Sequence, residues 1–203
     1  MELPATDAQR TEQPLPAGTE GESSLRQQVR DREVADQLSR RLTGRGLPGV
    51  ELQTLRAMHV PLRAHVRGWV AVELFPGKGA RASAEFDQDE RIVVVRPRVE
   101  HLNGFQELAD ADARMLSVIS DPPANIDLTA AWIDPRGLVL CDPELLIAHT
   151  LTLPTVGDGA VWRYRRLTLL AKDARIEKVI FPPKEHLAHH LRQIMTFIRA
   201  AGR

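Results

Sequence analysis

Hydrophobic and polar positions divide the chain into a polar start, one helical stretch, and a long segment in which short apolar runs alternate with amphipathic ones. Residues 1–23 carry Pro, Glu, Thr, Ser and Gly with almost no large apolar side chain, too little to offset the entropy of ordering, so a disordered tail is expected. From Ser24, a candidate N-cap, good helix formers run to a stop at Gly44. Leu25 and Val29 fall on a different side of this helix from Val34, Leu38 and Leu42, at about 100° per residue. Such a helix either lies partly exposed on its own domain, the preferred reading, or docks on a partner.

The folded unit is expected to begin near Gly46-Leu47-Pro48-Gly49, which gives a tail at 1–23, a helix at 24–45 and a domain at 46–203. Residues 50–55 alternate like an edge strand, and residues 69–75 (WVAVELF) read as a buried strand stopped by Pro76-Gly77. Residues 78–90 are a polar loop, and residues 92–95 a short strand. Leu102, Phe105 and Leu108 mark a helix at 99–109, and residues 115–119 are an apolar run of strand length. A short helix is expected at 125–133, a strand at 137–140, and a helix at 143–150 with Asp142 as cap and Pro143 in its first turn. Residues 166–171 and 176–181 form a hairpin through Lys172-Asp173-Ala174-Arg175, and Leu187, Leu191, Ile194 and Ile198 share one face of a last helix at 184–201.

Strands alternating with helices imply parallel crossovers, and the terminal hairpin adds antiparallel pairing. The fold class is α/β, a three-layer thioredoxin-like sandwich with a mixed central sheet.

Composition narrows the chemistry. Among 203 residues Lys+Arg and Asp+Glu are 27 each, and Cys141 is the one cysteine. A disulfide framework and a Cys-based zinc cage are excluded, and a neutral chain lacks the charge surplus that drives nucleic-acid binding. No apolar run approaches the ~18 residues of a membrane span, and residues 1–10 lack a secretory signal's order, so a cytoplasmic protein is expected. Only Lys78, Lys172, Lys178 and Lys184 are lysines, so anions would be met by guanidinium forks.

The stretch from Gly137, GLVLCDPELLIAHTLTLPTVGDGAVWRYRRLTLLAKDARIEKVIFPP, resembles the C-terminal half of peroxiredoxins, the alkyl hydroperoxide reductase and thiol-specific antioxidant type of thioredoxin fold. Cys141-Asp142-Pro143-Glu144-Leu145 is similar to the family's Asp-Pro-Glu turn, and Arg166-Leu167-Thr168 through Ile176 to its Arg-led hairpin. Leu47-Pro48-Gly49 and WVAVELFPG are similar to its opening and its strand into the active-site Pro. The resemblance implies a site built from Pro, then Thr or Ser, then a peroxide-attacking Cys, with an Arg that favours the thiolate. Counted from Pro76, those places fall on Ala80 and Ser83, and no cysteine lies between Pro76 and Leu140. A serine hydroxyl, protonated near neutral pH, does not replace a thiolate without a strong local base. The Arg place falls on Arg166, with Arg165 as the alternative.

Three other features carry alternatives. Cys141 reads as a buried packing residue, with a candidate redox thiol as the minority reading. His186 and His190, four apart with His189 between, are placed on a solvated face rather than in a metal site, and no metal or cofactor is expected. Trp162, Arg163, Tyr164, Arg165 and Arg166 either alternate structurally, Trp and Tyr inward and Arg outward, or line a pocket for a planar or anionic ligand.

The reading is a non-peroxidatic, peroxiredoxin-like pseudoenzyme. It binds a small molecule or protein partner at the ancestral cleft, with Pro76, Ser83, Trp162, Tyr164, Arg165 and Arg166 as the candidate pocket. It has an accessory or repurposed place in a biosynthetic pathway. Nucleic acid and membrane are not expected as partners, and a homodimer is. The alternative is a thiol-dependent oxidoreductase or peroxidase working through Cys141.

Overall fold

A computed structural model describes residues 19–76, 99–126, 137–157, 161–181 and 187–202. The expected loop at 78–90 and strand at 92–95, and most of the expected tail, lie outside the described residues, as do Ser83 and His186.

The first helix, α1 (Thr19–Leu42), begins five residues before Ser24, inside the stretch read as tail. Leu38 and Leu42 are buried and Val34 packs beside them, the stripe that a spacing of four generates. Gly44, at φ +83°, ends the helix in a conformation that glycine adopts at little cost. The chain then bridges to Arg175, with Gly44 N–H donating to the Ile176 carbonyl and Leu47 N–H to that of Ala174.

Next come β1 (Glu51–Thr54) and β2 (His59–Pro61), then β3 (Trp69–Phe75), buried at every position. The helix α2 (Val99–Asp110) leads into β4 (Ala113–Ile119), and β5 (Leu138–Cys141) into α3 (Leu146–Leu151). A short ribbon, β6 (Thr155–Gly157) with β7 (Trp162–Tyr164), precedes the hairpin β8 (Leu167–Lys172) and β9 (Arg175–Ile180). The last helix, α4, spans Leu187–Ala201.

The sheet order is β2-β1-β5-β4-β3-β8-β9. β3, β4 and β5 run parallel, while β1, β2, β8 and β9 add antiparallel pairs. This is the expected mixed sheet, with one correction: β2, not β1, is the outer strand. On one face, Val70, Val72 and Leu74 meet α1 and α3. On the other, Trp69, Ala71 and Met115 meet α2 and α4. Gly104 lets those two helices close, since a Cβ there would stand 2.6 Å from Leu191 Cδ1.

Two other expectations shift and one holds. The helix expected at 143 starts at Leu146, because Leu145 takes φ 55° and closes a turn on Asp142. Asp142 is still its acceptor: Oδ1 takes the Leu146 N–H at 2.8 Å and Oδ2 that of Ile147 at 3.0 Å. At the expected 125–133 helix, a 3-10 turn (Pro123–Asn125) is followed by extended Ile126, and residues 127–136 lie outside the described residues. The hairpin turn keeps its place; Asp173 and Ala174 both have positive φ, as a two-residue turn matching strand twist requires.

Candidate functional site

The three parallel strands end on one side of the sheet, where open α/β sheets bind their ligands. Phe75 pairs in register with Ile119, and Ile119 with Cys141. On the other flank Leu74 pairs with Leu167, which sets Arg166 beside Phe75. The Arg166 guanidinium carbon lies 5.4 Å from the centre of the Phe75 ring. One row thus runs from Arg166, just before β8, through Phe75, Ile119 and Cys141 of β3, β4 and β5.

Pro76, next after Phe75, is buried and held through its carbonyl. Ser120 Oγ donates to it at 2.7 Å and Arg163 Nη1 at 3.0 Å. Arg163 also pairs with Asp121, itself buried. No sequence pattern points to Ser120 or Asp121, and Arg163 stands in the sequence only as part of the aromatic and arginine run. The signal available was Ser120-Asp121-Pro122-Pro123 following a strand, a polar turn directly across from the Pro76 turn.

The other candidate residues do not converge on this spot. Arg165 turns to the opposite side, where Nη2 meets Asp31 of α1 at 3.1 Å and the guanidinium lies over Phe181 at 4.8 Å. Of the two arginines left open by the sequence, Arg166 is the one beside Phe75. Tyr164 is fully buried, its hydroxyl donating to Asp142 Oδ2; burial, reinforced by the charge and hydrogen bond of Asp142, holds that phenol well above its ordinary range. Trp162 is 54% exposed. The simple alternation of Trp and Tyr inward therefore fails, because the ribbon leaves the core between them.

Cys141 is 1% exposed. Burial, with the negative charge of Asp121 as a second cause, pushes its thiol up to about 11. It stands two strand spacings from Phe75, roughly 10 Å, and three from the Arg166 strand, roughly 14 Å. The charge of Asp121 that acts on it is the wrong sign for a thiolate.

One row inward, Glu73 faces Thr168 on one flank and Ser117 on the other. His190 of α4 completes this group, with Nε2 at 2.7 Å from Glu73 Oε1 and 3.0 Å from Thr168 Oγ1. This corrects the solvated reading of the histidines for His190, which is 0% exposed, whereas His189 is exposed. Among the described residues no group of three or more His, Cys, Asp or Glu side chains is arranged to hold a metal ion.

No family model matches this sequence, and no curated protein matches it. Solved structures match it in fold. Peroxidoxin BcpB from Mycobacterium tuberculosis is 18% identical, with a TM-score of 0.57 over 78% of this chain and 97% of its own. A cysteine-to-serine mutant of peroxiredoxin 6 from Arenicola marina is 15% identical, with a TM-score of 0.58 over 79% of this chain and 75% of its own. Reduced Prx3 from Vibrio vulnificus is 18% identical, with a TM-score of 0.54 over 77% of this chain and 97% of its own. The fold is accordingly the thioredoxin-like fold of peroxiredoxins, α/β with a mixed central sheet. No helix among the described residues is long and apolar enough to cross a membrane.

Proposed function

We propose that this chain is a peroxiredoxin-like protein that does not reduce peroxide through a cysteine. It binds a small molecule or a protein partner at the Pro76 and Arg166 end of the sheet. One observation carries the reading: the sole thiol, Cys141, is buried in β5, its thiol is raised to about 11, and the negative charge acting on it is that of Asp121. A peroxide-reducing site needs a thiolate near neutral pH and a cation beside it. Here the thiol and the Arg166 strand are on opposite flanks of β3 and β4.

Arg166 over Phe75 is a cation backed by an aromatic face, a pairing suited to planar anions such as aromatic carboxylates. We extend the reading to a cytoplasmic homodimer serving as an accessory or repurposed member of a biosynthetic pathway. The test is peroxide consumption with a thiol reductant, measured for the wild type and for Cys141→Ser. Both are expected to stay at the reductant-only background; consumption that vanishes in Cys141→Ser overturns the reading. A thermal-shift panel of small aromatic carboxylates then probes the site, with any stabilisation expected to be lost in Arg166→Ala.

A further inference from the structure

At the end of the sheet opposite Pro76, the starts of β3 and β4 lie beside the turn of the β8–β9 hairpin, and the segment after α1 joins them. Six exposed cations gather there from four separate stretches of chain: Arg45, Arg63, Arg67, Arg114, Lys172 and Arg175. Gly46 bridges Arg175, and a Cβ at Gly44 would stand 3.5 Å from Arg175 Nη2. A Cβ at Gly46 would stand 3.3 Å from Nη2 of Arg63, whose Nε donates to the Leu47 carbonyl at 2.6 Å. Two guanidiniums thus flank the Gly44-Arg45-Gly46 backbone. Arg67 precedes Gly68, whose N–H donates to Asp173 Oδ1 in the hairpin turn at 2.9 Å. Arg114 Nη2 donates to the His65 carbonyl at 3.1 Å, and Lys172 pairs in register with Arg175. We propose that this end of the sheet is a docking surface for a short acidic segment of a partner protein.

Among the described residues none of the six is in an ion pair. Arg63 and Arg114 are held by backbone carbonyls, which fix a guanidinium in place without cancelling its charge. Of the acids at this end, Asp110 accepts from Gln106 Nε2 at 2.7 Å, Asp173 accepts from Gly68, and Asp112 is in no ion pair with the six. Positive charge is in excess here, and because Lys+Arg equal Asp+Glu over the chain, the remainder of the molecule carries the matching negative excess.

That balance selects the occupant. A nucleic-acid strand of any length or an anionic membrane is an extended field of negative charge, and it meets the negative remainder as well as the cations. A short acidic segment meets the cations alone. From β9, which carries Arg175, to β4, which carries Arg114, is three strand spacings, roughly 14 Å, the reach of about five extended residues. Guanidinium forks take a carboxylate by both oxygens, and all of the six but Lys172 are arginines.

The test is fluorescence anisotropy of a dye-labelled glutamate oligopeptide with the full chain, at a physiological salt of about 0.15 M. The wild type is expected to bind the peptide more tightly than a single-stranded DNA of equal charge or vesicles with anionic headgroups. The side chains of Arg45 and Arg67 make no hydrogen bond or ion pair among the described residues, so Arg45→Glu/Arg67→Glu reverses charge at the surface without removing a contact of the fold. This variant is expected to weaken peptide binding by about tenfold or more. Arg30→Glu/Arg32→Glu makes the same change of net charge at exposed positions of α1 and is expected to leave binding within about twofold. A wild type that does not bind the peptide, an Arg45/Arg67 variant weakened no more than the α1 variant, or tighter binding of the DNA or the vesicles overturns the proposal.

Discussion

A thiol acts as a nucleophile only as its thiolate, and at about 11 Cys141 holds roughly one thiolate per thousand molecules at pH 8. Labelling of the native protein with a disulfide reagent at that pH is expected to run more than about a hundredfold slower than for a free cysteine, and to complete at once in denaturant. Rapid stoichiometric labelling of the folded chain would contradict the burial described for it. Asp142 is the opposite case, a buried carboxylate kept comfortable by three donors: the Leu146 and Ile147 amides and the Tyr164 hydroxyl. Tyr164→Phe removes the third and leaves part of a buried charge unanswered, so a loss of about 2 kcal/mol is expected. Urea titration would show it as a lower midpoint with an unchanged slope.

At the scale of elements, α1 belongs to the domain by its second half. Leu42 is 0% exposed, and Arg41 donates to the carbonyls of Leu151 and Thr152 at 2.6 and 2.8 Å, tying the helix to the end of α3. Leu42→Ala is expected to cost about 2–5 kcal/mol, while Val29→Ala, at a position 58% exposed, stays within about 0.5 kcal/mol. Thermal melting of the two variants separates these outcomes. The elements readable from sequence were those with enough residues to show a period. β3 announced itself as an apolar run ended by Pro76, and α4 by Leu191, Ile194 and Ile198 at helical spacing. β2 and the β6–β7 ribbon, three residues each, are too short for any period, so the sequence pattern makes β1 look like an edge. Grouped with its histidine neighbours His190 reads as solvated; counted with Ile194 and Ile198, at intervals of four, it belongs to the buried stripe. Pro76 and Arg166 were legible from motif order. Ser120 and Asp121, and the tie from Arg163 to Pro76, came into view only through strand register, which no local pattern encodes.

For the whole molecule, the balance of 27 basic and 27 acidic residues says little until the pairs are traced. The densest basic spot in the sequence, Arg163 to Arg166, is broken up by the fold. Arg163 goes to Asp121 and the Pro76 carbonyl, Arg165 to Asp31 on the far side, and Arg166 to the Phe75 ring. A polyanion is held by guanidiniums that point together and shed counterions together. Three that leave the same short segment for three separate partners make no such surface, so what reads as a cluster along the chain acts as three separate fasteners: one on the Pro76 turn, one on α1, and one at the ring beside which a ligand would lie.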